Sequence, residues 1–300
     1  MKRYQTGFLL MILAATMLAF ATLLMKQIPQ ITILLPKDVA IWRFSIATPL
    51  LWLFYFLKQG SNKKLPGSPW RFLGLGCAYA LANFCAVFAL ARLASSLYVI
   101  IVFIYPSLVV LFSLLTGGRV PKLYWLGLPL TLIGLLLITN QLGSDLVVNP
   151  LGLVITVLNA VAMATYFILS ERLFRNINQK FLGTNWVMTG AMIAGLLMIP
   201  FLQVQTPGSV LGWLYLISLS IFGTLIPILA MNFGLQLVGA ARGSVVITLQ
   251  PILTVLISTI FLGERLSILQ WIGGILVITA VVMLQLSPDK GNKPVSSKSD

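Results

Sequence analysis

The chain has 300 residues, of which 59% are hydrophobic and only 9% charged, and its formal net charge is +14. Soluble domains have roughly 45–50% apolar and about 25% charged residues, so the composition excludes an ordinary soluble domain and predicts an integral membrane protein. Histidine is absent, which removes the commonest general base and metal ligand, and we predict no catalytic residue, cofactor or metal.

Ten apolar segments follow one another along the chain, and each is long enough to cross a hydrocarbon core of roughly 30 Å as a helix. The first follows Lys2 and Arg3 as in a signal peptide, but its apolar run continues past the A-x-A site, which favours a retained span. The polar tail, 287–300, is predicted to be a disordered cytoplasmic tail. The predicted spans are 7–25, 39–57, 71–91, 95–116, 122–140, 150–171, 181–203, 210–233, 242–262 and 267–286.

The last two spans, within residues 239–286, are separated by only a few residues and are therefore predicted to form an antiparallel membrane hairpin. The same pattern occurs earlier in the chain, because Pro106 precedes Pro251 by 145 residues and Trp125 precedes Trp271 by 146. This nearly constant offset predicts an internal duplication of about 145 residues. Chance alignment of leucine-rich helices is the alternative.

The distribution of Lys and Arg predicts the orientation. If the N-terminus is cytoplasmic, inside segments hold fifteen of the 20 basic residues and outside segments four, with Arg43 inside a span. This bias follows the positive-inside rule, and basic residues between apolar runs do not indicate nucleic-acid binding. Both termini are predicted to be cytoplasmic, and a repeat of five spans must place its second copy upside down, which predicts two inverted repeats.

Several motifs carry a family resemblance. Residues 42–44, Trp-Arg-Phe, enter the second span, and residues 251–267, PILTVLISTIFLGERLS, contain a Leu-Gly-Glu segment. Residues 271–274, Trp-Ile-Gly-Gly, open the last span, and two spans have mid-span prolines. With these features the chain resembles the EamA family of the drug/metabolite transporter superfamily over residues 7–286. One departure is that residues 116–119, Thr-Gly-Gly-Arg, lack an acid in the first half.

The resemblance implies an all-α integral membrane permease with ten transmembrane helices built as two inverted five-helix repeats. Its domains would be residues 1–145 and residues 146–286, followed by the tail. The implied function is secondary transport without ATP, commonly export of amino acids or other small metabolites, with alternating access expected of the inverted repeat. We expect a small-molecule substrate, the lipid bilayer of a bacterial cytoplasmic membrane, a coupling ion (H⁺) and a homodimer as partners, and no nucleic acid.

Uncharged polar residues inside the spans are the main candidates for a substrate cavity, because an amide or hydroxyl in hydrocarbon must find a partner. Hydrogen bonding between helices is the alternative role for these residues. The paired proline sites are the favoured location, since a helix break there frees backbone carbonyls. The candidates are Tyr79, Asn83, Tyr105, Pro106, Ser107, Asn159, Thr165, Asn232, Thr248, Gln250 and Pro251.

Arg43 and Glu264 are the charged candidates. An ionisable group inside a membrane is costly and indicates function by default, so Arg43 is predicted to bind a substrate carboxylate or to pair with Glu264. Snorkelling to the interface is the alternative for Arg43. Glu264 and Glu171 end their spans, and capping or pairing with the neighbouring Arg265 and Arg172 is their alternative role.

Other classes of function remain as alternatives. The first is a non-transporting membrane scaffold or sensor, and the second is a drug or organic-cation exporter of the same superfamily. The absence of Asp and Glu from the middle of every predicted span disfavours the second, because a cation site needs a buried carboxylate. An intramembrane enzyme would need a nucleophile–base pair or paired acids, and the spans contain neither.

Overall fold

The computed structural model describes residues 2–59, 68–93, 95–115, 122–139, 149–175, 177–262 and 267–286, and every regular element in those ranges is a helix. A π-helical turn, Ile221–Leu225, joins α9 to α10. The α-helices are α1 Lys2–Ile31, α2 Pro36–Gln59, α3 Pro69–Leu90, α4 Ser95–Val102, α5 Tyr105–Leu115, α6 Tyr124–Thr139, α7 Pro150–Arg175, α8 Lys180–Leu202, α9 Val210–Ser220, α10 Ile226–Val238, α11 Ala240–Ile247, α12 Leu249–Leu262 and α13 Ile268–Leu286.

Eight helical segments of the described chain are long and apolar enough to cross a membrane. Two further apolar helices, Tyr124–Thr139 and Ile268–Met283, are shorter than the others. The prediction of an all-helical multi-pass membrane protein is therefore confirmed, and the count of ten spans stays a prediction. Large apolar side chains such as Leu57, Phe201 and Ile268 are exposed on the surface, which suits a bundle surrounded by lipid rather than water.

Several helices begin where the sequence supplies a favourable first turn. α2, α3 and α7 start at Pro36, Pro69 and Pro150, and proline suits this position because its missing N–H would have no partner within the helix. α9 starts after Ser209, whose hydroxyl accepts a hydrogen bond of 3.1 Å from the amide of Gly212. This N-cap satisfies one of the free amides at the helix start.

The eighth predicted span, 210–233, is longer than the sequence suggested. Its helix continues to Val238 and stops at Gly239, whose φ of +86° favours glycine. The span also contains the π-helical turn, directly before Pro227 at the start of α10. A π-helical turn is a local widening of the helix, and the hydrophobic pattern of the sequence did not indicate it.

Close packing of α3 against α7 and α8 forms the middle of the bundle. An added Cβ at Gly76 would lie 1.9 Å from the carbonyl oxygen of Val187, and one at Gly190 would lie 2.2 Å from that of Leu73. Only glycine permits this approach of two backbones, as is common where membrane helices pack. The contact brings helices from both halves of the chain together.

Several other helix contacts also join the two halves of the chain. α1 packs on α10 and α12, α7 packs on α3 and α5, α2 packs on α8, and α6 packs on α13. The largest apolar core contains Phe44, Tyr79 and Tyr105 from the first half and Tyr166 and Met231 from the second. The predicted division between residues 145 and 146, the tail 287–300 and the candidate Glu264 lie outside the described residues.

Candidate functional site

Two of the predicted spans are interrupted close to a proline. α4 gives way to α5 at residues 103–104, and α11 gives way to α12 at Thr248. Pro106 and Pro251 follow these breaks within the next turn. Proline has no N–H to donate, and its ring crowds the carbonyl four residues earlier, so the helix breaks on the N-terminal side of each proline.

The two interrupted spans meet at Tyr105. Its hydroxyl, on α5, donates a hydrogen bond of 3.2 Å to the backbone carbonyl of Ser244 on α11. Tyr105 is buried, and the ring of Phe167 on α7 lies 5.4 Å from its own. Because α5 and α11 belong to different halves of the chain, this hydrogen bond joins the halves at their broken helices.

The other candidates on the interrupted spans differ in burial. The hydroxyl of Thr248 is buried and donates a hydrogen bond of 2.6 Å to the carbonyl of Val245 in the preceding turn. The same carbonyl accepts a hydrogen bond of 3.0 Å from the backbone amide of Thr248, so the hydroxyl adds a second bond at the end of α11. Pro106 is buried, and Ser107, Gln250 and Pro251 are half-buried.

Asn232 on α10 holds three helices together. Its side-chain oxygen accepts hydrogen bonds from the hydroxyls of Tyr166, at 2.7 Å, and Ser170, at 2.8 Å, both on α7. Its side-chain nitrogen donates to the hydroxyl of Thr184 on α8, at 3.2 Å. Asn232 is completely buried, and its amide is satisfied by neighbouring helices, as the interhelical alternative expects.

Arg43 on α2 points into the bundle rather than to the interface. Its Nη2 donates a hydrogen bond to the side-chain oxygen of Asn83 on α3, and Tyr79 also interacts with the guanidinium. The side-chain nitrogen of Asn83 donates in turn to the carbonyl of Tyr79, at 2.7 Å. Only 8% of the surface of Arg43 is exposed, whereas a snorkelling arginine would keep its charged end at the surface of the bundle.

A series of aromatic rings connects the polar residues around Tyr105, those around Asn232 and those around Arg43. The ring centroids of Tyr79 and Tyr166 are 5.0 Å apart, those of Tyr166 and Phe167 are 6.2 Å apart, and Phe167 contacts Tyr105. The structure therefore brings the candidates Arg43, Tyr79, Tyr105 and their hydrogen-bond partners into one continuous interior. We call this set of connected residues the central cluster.

Two candidates make their contacts at other places. Asn159, buried on α7, donates a hydrogen bond of 2.9 Å to the hydroxyl of Tyr98 on α4. Thr165 is half-buried on α7, next to Tyr166 in the sequence. Asn159 is thus satisfied between helices in this structure, and a role of either residue in substrate binding stays a prediction.

The ion-pair partner of Glu171 differs from the one that the sequence predicted. Glu171 pairs with Arg175, one turn further along α7, rather than with its neighbour Arg172. Its second oxygen accepts a hydrogen bond of 2.8 Å from the amide of Ala240, the first residue of α11. A carboxylate at this position caps the helix and suits the positive end of its dipole.

Sequence reasoning missed several polar residues of the interior. Ser170, Thr184 and Ser244 lie in apolar spans, and their hydroxyls gave no signal because such groups often bond within their own helix. Asp38 was also missed. It is fully buried at the start of α2, and its two oxygens accept hydrogen bonds from the amides of Leu35, at 2.8 Å, and Gln205, at 3.3 Å.

A small, largely enclosed pocket is lined by none of the residues of the central cluster. Its lining is mostly apolar, with side chains from α6, α12 and α13 that include Ile138, Ile252 and Gln270. Among the described residues, no group of three or more His, Cys, Asp or Glu could hold a metal ion. The central cluster instead supplies hydroxyls, amides and a guanidinium, which are groups able to donate and accept hydrogen bonds to a polar solute.

The fold and the polar interior define a multi-pass helical membrane protein. The model of the EamA-like transporter family matches residues 5–140 and 150–286. The chain belongs to this transporter family, which confirms the resemblance and argues against an enzymatic role.

Curated relatives are similar to the chain over most of its length. It is 26% identical over 252 residues to the uncharacterized transporter YcbK of Bacillus subtilis, covering 79% of this chain and 80% of that protein. It is 27% identical over 263 residues to the uncharacterized transporter YdfC of the same organism, covering 86% and 84%. A third relative, the uncharacterized inner membrane transporter YedA of Escherichia coli K12, is 24% identical over 192 residues, covering 64% and 62%.

A solved crystal structure has the same fold. It superposes with a TM-score of 0.78 at 17% sequence identity, covering 93% of this chain and 96% of the other. At this level of identity the likeness concerns the fold alone.

Proposed function

We propose that the protein is a secondary transporter that exports amino acids or other small metabolites across a bacterial cytoplasmic membrane by alternating access. The observation that carries the proposal is the buried contact between the two interrupted spans, from Tyr105 to Ser244. Secondary transporters bind their substrates where discontinuous helices of the two repeats face each other. Tyr105, Pro106, Gln250 and Pro251 are therefore proposed to lie beside the substrate path.

The proposed architecture is ten spans in two inverted repeats. In a five-span repeat, α7 corresponds to α1, α9 and α10 together correspond to α3, and α12 corresponds to α5. α1 packs on α10 and α12, and α7 packs on α3 and α5. When each helix is replaced by its counterpart in the other repeat, the contacts of α1 become those of α7. Chance alignment of apolar helices gives no reason for this exchange.

We further propose that both termini are cytoplasmic and that protons drive the transport. Glu171 offers a mechanism for coupling, because its carboxylate accepts a hydrogen bond from the amide of Ala240 at the start of α11. This bond places a carboxylate at the positive end of α11, which is the first part of an interrupted span. A homodimer stays a prediction.

The charge of the central cluster favours one of the two transporter alternatives. Arg43 places a cation beside Asn83 and Tyr79, and a cationic drug would be repelled by this charge in a low-dielectric interior. An exporter of organic cations is therefore the less favoured candidate. A scaffold or sensor gains no support from the interrupted helices.

Flux in sealed proteoliposomes tests the proposed function. Protein of known orientation is reconstituted, and uptake of a mixed panel of amino acids and small metabolites is measured with and without a pH gradient. We expect at least one compound to cross faster than in protein-free vesicles, and a gradient to accelerate it. Folded protein that moves no compound of the panel would contradict the proposal.

A further inference from the structure

Arg43 places a positive charge inside the bundle. It lies seven residues after the start of α2, which is about 10 Å along the helix, and only 8% of its surface is exposed. A charge in this environment is costly unless other groups compensate for it. The partners of the guanidinium therefore decide what the residue does.

The described partners of Arg43 are neutral. Its Nη2 donates to the amide oxygen of Asn83, Tyr79 interacts with the same group, and the Phe44 ring centroid lies 4.9 Å from its Cζ. Within the described ranges no carboxylate pairs with it, since the described ion pair is that of Glu171. The charge is thus solvated by dipoles and an aromatic face, without a counter-ion among these residues.

One donor of the guanidinium is also unused. The Nε atom of Arg43 is buried and has no hydrogen-bond partner among the residues that the structure describes. A buried donor without a partner costs free energy, and a ligand that accepts its hydrogen bond would remove this cost. The planar guanidinium presents its N–H groups as a fork that matches two oxygens of a carboxylate or of a phosphate, and carboxylates are the commoner of the two in the proposed metabolites.

Asn83 holds the guanidinium in position for such a ligand. The side-chain nitrogen of Asn83 donates to the carbonyl of Tyr79, at 2.7 Å, so its oxygen is oriented towards Arg43. This second bond limits rotation of the amide and therefore limits movement of the group bound to it. The site is preorganised, which reduces the entropy cost of binding.

We propose that Arg43, positioned by Asn83, binds the carboxylate of the transported substrate. This inference rests on the proposed transport function and narrows its substrate class to small metabolites that carry a carboxylate. The bound anion supplies the counter-ion that the described residues do not provide, and it accepts the free N–H. The competing explanation is that Arg43 only links α2 to α3.

Two matched sets of compounds test the proposal. The first consists of leucine, leucinamide and 3-methylbutylamine, and the second of serine, serinamide and ethanolamine. In each set the side chain is constant, whereas the carboxylate is replaced by an amide or removed. The measurement is the ratio of carboxylate to amide flux into proteoliposomes containing the full chain.

We expect the wild type to prefer the carboxylate within a set by roughly tenfold to hundredfold, as expected for charge-assisted hydrogen bonds. Arg43→Gln should remove the preference, and Arg43→Lys should lose most of it, because an ammonium keeps the charge without the planar fork. The control is Arg92→Gln, at an exposed arginine that donates to the Phe88 carbonyl of its own turn. This variant should keep the wild-type ratio.

Asn83→Asp separates the two explanations. The new carboxylate would pair with Arg43 and occupy the guanidinium, so carboxylate flux should fall to the level of amide flux while the unfolding temperature stays the same or rises. If Arg43 only links the helices, this stronger link should leave the flux ratio unchanged. That result would overturn the proposal.

The outcomes for the subsite and for transport are distinguishable. Equal flux of carboxylate and amide in the wild type, or an unchanged ratio in Arg43→Gln, would overturn the subsite and leave the transport function standing. A lack of flux for all six compounds would count against the substrate class, and the wider metabolite panel would then test transport independently.

Discussion

The interior polar side chains are satisfied to different degrees. The amide of Asn232 uses both its oxygen and its nitrogen in bonds to Tyr166, Ser170 and Thr184, whereas Arg43 retains a buried donor without a partner. A fully satisfied group stabilises the bundle, and an unsatisfied one is available to a ligand. This difference supports the proposal that Asn232 is structural and that Arg43 binds the substrate.

A substitution at Asn232 tests its structural role. Asn232→Ala removes hydrogen bonds to two helices and leaves buried hydroxyls unpaired, so we expect it to reduce the free energy of unfolding by about 1–3 kcal/mol. Thermal unfolding in detergent measures the change. The control is Thr279→Val, at an exposed hydroxyl bonded within its own helix. Equal unfolding temperatures for the two variants would contradict the assigned role.

The sequence predicted which buried polar residues need hydrogen-bond partners but not which residues those partners are. Asn159 and Asn232 stand out as amides in apolar spans, yet Tyr98 and Ser170 lie 61 and 62 residues away from them. The rotation of α2 about its axis decides whether Arg43 faces the interface or the interior. Pairing over such distances depends on helix packing, which local sequence does not encode.

Among the secondary-structure elements, the helix breaks were the most predictable feature. Proline acts through its own backbone, which favours the interruptions near Pro106 and Pro251, but three other prolines lie inside unbroken helices, so proline alone does not decide where a helix breaks. The bond from Tyr105 to Ser244 could not be predicted, because it joins residues 139 positions apart. The π-helical turn and the end of its span at Gly239 were also not predicted, because helix packing overrides the local hydrophobic pattern.

Pro251→Ala and Gln250→Ala test the interrupted span. Alanine restores a backbone donor at position 251, so the helix can straighten, and removal of the Gln250 amide takes away a polar group beside the break. We expect each variant to cut transport at least tenfold with normal membrane insertion, measured as flux and as membrane-bound protein. Pro129→Ala, at an exposed proline of α6, is the control. Unchanged kinetics in both variants would remove the break from the substrate path.

The close approach of α3 and α8 supports a second prediction for the elements. Gly76→Ala places a methyl group 1.9 Å from the Val187 carbonyl oxygen, and backbone atoms cannot yield without separating the helices. We expect a loss of about 1–3 kcal/mol in unfolding free energy, measured by thermal unfolding. Gly74→Ala is the matched control, because nothing lies within 4 Å of its added Cβ. Equal stability of both variants would show that the helices are not held this closely.

For the whole molecule, the sequence predicted the class well because lipid imposes simple rules. Every backbone group must bond internally, so long apolar runs become helices, and the structure has eight such segments among its described residues. The predicted span 122–140 corresponds to α6, which is shorter at 16 residues, whereas 267–286 corresponds to α13, whose 19 residues nearly match the prediction. Hydropathy sets which segments are buried in lipid, but the length of each helix depends on its caps and neighbours.

Alternating access requires the central cluster to face each side of the membrane in turn. Ser107 is half-buried next to Pro106, and a cysteine there reports access to the break. The native Cys77 and Cys85 are free, so both are first replaced by alanine. A lipid-facing control is Thr279→Cys, at an exposed position of α13.

The decisive measurement is labelling of Ser107→Cys by a membrane-impermeant thiol reagent in right-side-out and inside-out vesicles. Alternating access predicts labelling from both sides, slowed by any transported compound, with no labelling of the Thr279→Cys control. Labelling from one side only, or from neither side in protein that still transports, would contradict the central claim that the substrate passes between the two broken helices.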